Sequence, residues 1–249
     1  MGKHDNKNLM YGFHPAIETI KFNKNIKEIL LSKNLSHKKQ KIIKKFTLKN
    51  QKITKWVDNK TLDSLTNNAN HQGIAIIIGS FHYTSLKEIF KKAKKNQHSP
   101  FIIILDKIED PHNLGSILRT ADAVKADGII IPKRRAVQLT QTVAKVSTGA
   151  IEHIPVCKVT NINDTINTLK KEGLWIFGSD MSGIDYTTWK PFGPIGLVIG
   201  NEGKGISFRT KQNVDQMITI PMSGDIDSLN ASVAAAILMY HVYNFRRKN

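Results

Sequence analysis

An asparagine and an arginine, six residues apart, follow one of the apolar runs in the second half of the chain. The run is Phe101–Leu105, and the segment behind it reads DPHNLG from Asp110 to Gly115. Asn113 is a residue type that favours a helix N-cap, which would place Arg119 less than two turns into the same helix. An arginine near a strand end suits a phosphate or a carboxylate, although an ordinary surface arginine explains this segment, taken alone, at least as well.

A glycine-rich segment follows a second apolar run and carries an acid at its centre. It reads GNEGKGIS from Gly200 to Ser207, so three glycines within six residues let the backbone approach a ligand closely. The segment is not a P-loop, because Lys204 is followed by a glycine, and its glycines do not make the G-x-G-x-x-G dinucleotide pattern. A tight turn would explain the glycines, but it does not require Glu202.

A third polar segment precedes the last helix-like stretch. It reads IPMSG from Ile220 to Gly224 and SLNASVA from Ser228 to Ala234. Ser228 or Asn230 is expected to cap a helix whose first turns are almost all small residues, which allow close packing. Capping alone accounts for one of these two residues and leaves the rest of the polar loop unexplained.

All three segments lie in a half of the chain whose apolar runs lack polar alternation. Such runs suit strands buried on both faces, so the sequence after Pro100 predicts a mostly parallel α/β sheet flanked by helices. Ligands of such sheets bind beyond the carboxyl ends of the strands, where the three segments fall. The predicted strands are Phe101–Leu105, Gly128–Ile131, Ile154–Val156, Leu174–Phe177, Ile195–Ile199 and Met217–Ile220.

The first part of the chain alternates short β-like runs with lysine-rich amphipathic segments, which predicts a small α/β domain. The runs are Ile26–Leu31, Ile53–Val57 and Gly73–Ile78, and the amphipathic segments are Ser36–Lys45 and Thr84–Lys95. A polar stretch, 94–100, ends in a proline and is typical of a linker. We therefore predict one domain over residues 1–96 and a second over residues 97–249.

Positive charge is concentrated in the first predicted domain. The 249 residues carry a formal net charge of +17. Residues 1–99 hold 20 lysines and six acids, a net +14, whereas residues 100–249 hold 17 basic and 14 acidic residues, a net +3. A basic block beside a nearly neutral one is typical of a polyanion-binding module joined to another domain, and a lysine-rich genome explains it equally well.

Composition argues against several classes of protein. The only cysteine, Cys157, cannot form an internal disulfide and is expected in the core of a protein from a reducing compartment. None of the nine histidines has metal-ligand spacing, so no metal site is expected. We find no signal-peptide core and no run approaching the roughly 18 apolar residues of a membrane span, and we expect a soluble, cytoplasmic protein.

In this order and spacing, the three segments resemble the three motifs of the SpoU (TrmH-like) family of RNA ribose 2′-O-methyltransferases, within the SPOUT superfamily. YGFHP from Tyr11 and HQG from His71 resemble the RNA-binding domain, related to a ribosomal-protein fold, that precedes the catalytic domain in one branch of the family. Within that branch, the sequence most resembles the guanosine-2′-O-methyltransferase of large-subunit (23S) rRNA. The resemblance covers nearly the whole chain, and residues 32–70 are the least recognisable.

This resemblance implies S-adenosylmethionine as the methyl donor, a deep trefoil knot in the catalytic domain, and a homodimer with the cofactor site at its interface. It implies no metal. The family pattern places the cofactor near Gly178, Gly200, Ile220 and Leu229. It assigns the chemistry to Arg119, Asn113, Glu202, Ser228 and Asn230, and none of these residues departs from the pattern.

Two roles for Arg119 remain open. The resemblance implies a proton acceptor that acts with an RNA phosphate, but arginine side chains are effectively always protonated, so a neutral guanidine is scarce. We favour a clamp that binds the phosphate and stabilises the developing alkoxide. In that interpretation Asn113 and Glu202 orient the arginine, while Ser228 and Asn230 shape the pocket.

The sequence thus favours methylation of a guanosine ribose in 23S rRNA, with lysines of the first domain binding RNA phosphates. A tRNA ribose methyltransferase is an alternative, against which the separate N-terminal domain argues. A noncatalytic RNA-binding or ribosome-assembly factor with the same fold is another, against which the complete set of motif residues argues.

Overall fold

A computed structural model describes residues 9–22, 26–47, 53–79, 81–95, 98–225 and 228–248. The chain divides into two compact units, residues 1–81 and residues 82–249. This division precedes the predicted boundary at 96/97, because helix α4 (Leu86–Lys95) packs on the second unit, where its Ile89 is fully buried against Ile102 and Ile130. The second lysine-rich amphipathic segment therefore belongs to the second unit.

The first unit is a four-stranded mixed sheet with helices, which confirms the predicted small α/β domain. The elements are β1 (Leu9–Tyr11), α1 (Phe13–Phe22), β2 (Ile26–Ser32), α2 (His37–Thr47), β3 (Thr54–Val57), α3 (Asn59–Thr66) and β4 (Ile74–Ile78). The strand order is β1-β4-β2-β3; β4 is antiparallel to both neighbours, and β2 and β3 are parallel.

Helix α2 is anchored by its apolar side and presents lysines on the other. Ile43 is buried in the core beneath α1 and α2. The lysines at positions 38, 41, 44 and 45 are exposed. Helix α3 packs through Leu62 on a separate buried cluster with Leu30 and Ala75. The lysine side of α2 is therefore a basic surface of the first unit.

The second unit is built on a six-stranded sheet in the order β10-β8-β9-β5-β6-β7, and every pairing between its described strands is parallel, as predicted. The predicted run Ile154–Val156 overlaps β7 only at Val156, because Pro155 lacks a backbone N–H and cannot donate within the sheet. The strands are β5 (Phe101–Asp106), β6 (Gly128–Pro132), β7 (Val156–Val159), β8 (Trp175–Asp185), β9 (Ile195–Gly200) and β10 (Gln216–Thr219).

Helices cover both faces of this sheet. Ile89 of α4 and Ile166 of α7 pack on one face with Ile102 and Ile104 of β5. On the other face α5 packs against α6 and α9, and α9 packs against β9. The helices are α5 (Pro111–Ala123), α6 (Gln141–Val146), α7 (Ile162–Lys171), α8 (Phe208–Asn213) and α9 (Ala231–Lys248). Within the described ranges, no helix combines the length and the apolar character needed to span a membrane.

Because the strands are parallel, all their carboxyl ends lie at one edge of the sheet, which we call the carboxyl edge. The three polar segments follow β5, β9 and β10 at this edge. The sheet order places β9 directly beside β5, with Asp106 in register with Gly200. The trefoil knot implied by the resemblance stays a prediction.

Candidate active site

Hydrogen bonds join one side chain from each of the three polar segments at the carboxyl edge. Asn113 donates through Nδ2 to Oε1 of Glu202, and its Oδ1 accepts a 3.0 Å hydrogen bond from Nδ2 of Asn230. These partners lie 89 and 117 residues further along the chain. The sheet therefore brings the three segments to one place, and we call these three residues the polar cluster.

Asn113 lies inside α5 with only 5% of its surface exposed, so its predicted role as the N-cap is wrong. The helix begins at Pro111, and the cap is Asp110, whose Oδ1 accepts a 3.0 Å hydrogen bond from the backbone N–H of His112. Proline is favourable at this first position because its φ is preset and it has no N–H to satisfy. The Asn113 amide is thereby free to bind Glu202 and Asn230.

Asn230 caps helix α9 and contributes to the polar cluster with the same amide. Its Oδ1 accepts hydrogen bonds from the backbone N–H and from Oγ of Ser232, at 2.9 and 2.6 Å. This identifies Asn230, and not Ser228, as the cap. Because the oxygen serves the helix, the amide nitrogen points to Asn113 in a fixed orientation.

The loop that carries Glu202 is closed on itself. Asn201 and Gly205 exchange two backbone hydrogen bonds of 3.2 and 2.7 Å. A Cβ atom at Gly200 would lie 2.2 Å from the carbonyl carbon of Gly205, a distance that packed atoms do not reach. Asn201 also donates a 3.2 Å hydrogen bond to the carbonyl of Lys107, which ties this loop to the one after β5. Glu202 therefore projects from a fixed backbone.

A cavity opens beside this loop, between the middle of β8 and the carboxyl ends of β9 and β10. Three of the four residues that the family pattern places against a cofactor line it, namely Gly200, Ile220 and Leu229. Glu202 and Ser228, from the predicted catalytic set, line it as well. The wall thus combines bare backbone, apolar side chains and a carboxylate, which suits a ligand with both apolar and charged parts.

Gly178, the fourth predicted cofactor residue, lies behind the wall. A Cβ atom there would meet Sδ of Met217 at 2.7 Å and Cδ1 of Ile206 at 3.0 Å. The cavity is lined instead by the next residues, Ser179 and Asp180. The absence of a side chain at Gly178 therefore leaves space for the side chains of Met217 and Ile206 beneath the cavity.

Asp180 is a carboxylate of this cavity that the sequence did not single out. Partial burial raises its pKa, but an ion pair with Lys211 and donors from Ser182 outweigh that effect, so the pKa lies below its usual value. Asp180 is therefore ionised at neutral pH. The available signal was its place three residues after the predicted strand that ends at Phe177.

Arg119 is exposed on α5, and among the described residues it makes no hydrogen bond to the polar cluster. It lies six residues after Asn113, which corresponds to about 9 Å along the helix and about 120° around it. Among the described residues the Arg119 guanidinium has no ion pair and no hydrogen bond. This guanidinium is free to bind an anion from outside the chain.

The described residues contain no group of three or more His, Cys, Asp and Glu side chains that could hold a metal ion. Cys157 is buried, which confirms its predicted place in the core.

Comparison with known families and proteins gives an independent view of the chain. Residues 100–240 match the model of the SpoU rRNA Methylase family, and residues 9–84 match that of the RNA 2'-O ribose methyltransferase substrate binding domain. YacO of Bacillus subtilis (strain 168), named as a TrmH family tRNA/rRNA methyltransferase, is 46% identical over 238 residues, which are 94% of each chain.

Two solved structures share the fold. AviRb from Streptomyces viridochromogenes, a SpoU methyltransferase in complex with AdoMet, superposes with a TM-score of 0.68 at 22% identity over 97% of this chain and 91% of its own. An AdoMet-bound rRNA methyltransferase from Sinorhizobium meliloti gives a TM-score of 0.65 at 24% identity over 95% and 86%. At these identities the likeness concerns the fold alone.

Proposed function

This chain belongs to the SpoU family of RNA methyltransferases, and on that premise we propose that it methylates a ribose 2′-hydroxyl of a guanosine in 23S rRNA. S-adenosylmethionine is the methyl donor. The observation that carries the proposal is the polar cluster, in which Asn113, Glu202 and Asn230 meet beside a cavity at the carboxyl edge.

The cavity suits S-adenosylmethionine. Gly200 contributes to the cavity wall at the end of β9, and Ile220 and Leu229 offer apolar surface for a planar base. The carboxylates of Asp180 and Glu202 offer acceptors and negative charge for the cationic part of the molecule. When bound, the methyl sulfonium supplies the electrophile.

The residues of the chain then have to hold the ribose hydroxyl in line and assist the loss of its proton. The unpaired guanidinium of Arg119 is suited to bind an RNA phosphate and to stabilise the oxyanion as it forms. Asn113 and Asn230 hold Glu202 at the cavity wall, and Ser228 shapes the wall beside it. No step requires a metal.

The test is transfer of labelled methyl from S-adenosylmethionine to naked 23S rRNA, to assembled large subunits and to tRNA in parallel. Label in either large-subunit substrate supports the proposal and shows which form is used. Label in tRNA alone contradicts the rRNA assignment. Label in none of them favours a noncatalytic RNA-binding or assembly role.

The lysines of α2 support RNA binding by the first unit. Among the described residues of this unit, ion pairs neutralise Lys33 and Lys55, but the exposed lysines of α2 have no carboxylate partner. Each lysine that contacts a phosphate adds about 0.7 to the salt dependence of binding to single-stranded RNA. Helix α2 is therefore the surface that we propose for RNA in this unit.

Changing Lys38, Lys41, Lys44 and Lys45 together to glutamine should weaken RNA binding at least tenfold and reduce the slope of log K against log salt concentration by about 1 to 3. Filter binding between 50 and 200 mM salt measures both quantities. A Lys33→Gln/Lys55→Gln control should change binding less per lysine, because these ammonium groups are engaged by Asp58 and Glu28 and are less available to a phosphate. An unchanged slope in the α2 variant would refute this role.

We also propose a homodimer, supported by apolar side chains on the outer face of α9. Val233 and Tyr240 are 46% and 45% exposed and lie two turns apart, with Ile237 between them. Met222, beside the cavity, is 41% exposed. Light scattering at micromolar concentration should give twice the chain mass of 28.0 kDa, and a value of 28.0 kDa would contradict the dimer.

A further inference from the structure

Three consecutive cations follow strand β6 at the carboxyl edge. Lys133, Arg134 and Arg135 come directly after Pro132, the last residue of β6, and all three are exposed. We call these three residues the basic loop. They lie within residues 100–249, whose net charge is only +3, so the net charge of this part does not reveal a local basic cluster.

The backbone around the basic loop is held at several points. The N–H of Lys133 donates to the carbonyl of Val159 at the end of β7, at 2.8 Å. The N–H of Val137 donates to the carbonyl of Ile108, also at 2.8 Å. The side chain of Gln138 donates to the carbonyls of Pro132 and Ala136, at 3.2 and 3.0 Å, which closes the base of the loop. These hydrogen bonds hold the backbone of the basic loop in a defined conformation.

Two further features define the geometry around the loop. Arg135 has a φ of 54°, in the left-handed region that a residue with a Cβ adopts at some cost. The hydroxyl of Tyr83 accepts a 2.9 Å hydrogen bond from the N–H of Leu139, and Nζ of Lys158 lies 3.9 Å from the centre of the Tyr83 ring. Lys158 thereby adds a fourth cation close to the loop.

The side chains of the basic loop have no partner. Among the described residues none of the three cations has an ion pair or a side-chain hydrogen bond. A guanidinium presents two parallel N–H groups that match two oxygens of a phosphate, and adjacent arginines suit adjacent phosphates. Arg134 and Arg135 have no partner within the described chain, and their backbone is held in place, so both guanidinium groups are available to an anionic ligand.

The basic loop lies on the same edge as the polar cluster. Strand β6 pairs with β5, and β5 pairs with β9, which leads to Glu202. Two strand spacings correspond to about 10 Å, a distance that an RNA strand crosses within a few nucleotides. The hydrogen bond from Val137 to Ile108 couples the loop to the segment that carries Asn113.

We propose that Arg134 and Arg135 bind neighbouring phosphodiesters of the substrate RNA within a few nucleotides of the methylated ribose. This inference rests on the proposed function and adds a site in the catalytic unit, whereas the substrate-binding family model covers only residues 9–84. The lysines of α2 contribute to affinity for RNA in general. The basic loop orients the segment that enters the site.

The test compares an Arg134→Gln/Arg135→Gln variant of the full chain with a control at the other end of the same strand. Lys125 precedes β6, is exposed and unpaired among the described residues, and has a φ of 57°. Lys171 ends α7 at that same opposite edge. A Lys125→Gln/Lys171→Gln control therefore removes the same charge away from the site. It also tests a substitution at the same backbone conformation, because Lys125 and Arg135 are both left-handed.

The arginine variant should raise the KM for rRNA by about 10- to 100-fold and reduce the salt slope by about 1.4, with kcat within about threefold of wild type. The affinity for S-adenosylmethionine and the melting temperature should be unchanged, which shows that the fold survives. An Arg134→Lys/Arg135→Lys variant should recover the salt slope but only part of the KM, because it restores charge without the planar fork.

A KM and salt slope equal to wild type would overturn the inference, and so would an equal loss in the Lys125→Gln/Lys171→Gln control. Filter binding to rRNA measures the same contacts without turnover. If the wild-type protein transfers no methyl group to RNA, the proposed function fails, while the binding measurement still decides whether the basic loop holds RNA.

Discussion

Replacing Arg119 by alanine should lower kcat for methyl transfer by about 10²- to 10³-fold, while the affinity for S-adenosylmethionine stays within about twofold of wild type. The guanidinium is exposed and unpaired in the described chain and does not line the cavity, so its removal disturbs neither the fold nor the donor site. What it removes is the charge that binds the phosphate and stabilises the forming alkoxide. Single-turnover methyl transfer with saturating RNA measures this loss directly.

Two further variants test whether the effect is specific to the guanidinium of Arg119. Arg247→Ala removes another exposed arginine, at the far end of α9, and should leave kcat unchanged. Arg119→Lys keeps the charge without the planar fork and should recover part of the rate. Substantial turnover by Arg119→Ala at saturating RNA would contradict the catalytic role, whether that role is clamp or proton acceptor.

Replacing Asn113 by alanine should lower kcat by about 10²-fold and also reduce stability by about 1–3 kcal/mol. Asn113 is buried and joins the segments after β5, β9 and β10, so its loss leaves Glu202 and the Asn230 amide without their shared partner. Glu202 then gains rotamer freedom at the cavity wall. Thermal unfolding and methyl-transfer kinetics of the same preparation measure both effects.

Asn213→Ala is the matched control for Asn113. The Asn213 side chain donates a 3.1 Å hydrogen bond to the carbonyl of Asn163, which links α8 to α7 away from the cavity. Its loss should cost about 1 kcal/mol of stability and leave kcat unchanged. If Asn113→Ala loses stability but retains kcat, the polar cluster is only a structural link between loops.

The parallel sheet could be predicted because its strands are buried on both faces and therefore appear as plain apolar runs, such as Phe101–Leu105. The short strand β1 has three residues and gave no such signal, and α1 and α3 were not predicted either. The boundary at 96/97 rested on composition, which does not reveal that Ile89 of α4 is buried in the second unit's core.

The site residues could be selected from motif spacing, but their contacts could not. Helix α5 is capped by Asp110, three residues before the predicted cap, and Pro111 occupies its first helical position. Asn113 therefore lies inside the helix and is buried in the polar cluster. Contacts between residues 89 and 117 positions apart depend on strand order, which no local pattern contains. The basic loop was missed because charge was summed over half of the chain.

We propose that this protein methylates a ribose hydroxyl of 23S rRNA at the carboxyl edge of the parallel sheet. The most direct test is to label rRNA with the purified protein and labelled S-adenosylmethionine, digest it to nucleosides, and identify the labelled product by chromatography and mass spectrometry. We predict a single labelled nucleoside, 2′-O-methylguanosine, formed by the wild type and reduced to near background by Arg119→Ala. Label on a base, or equal labelling by both proteins, would contradict the proposed function.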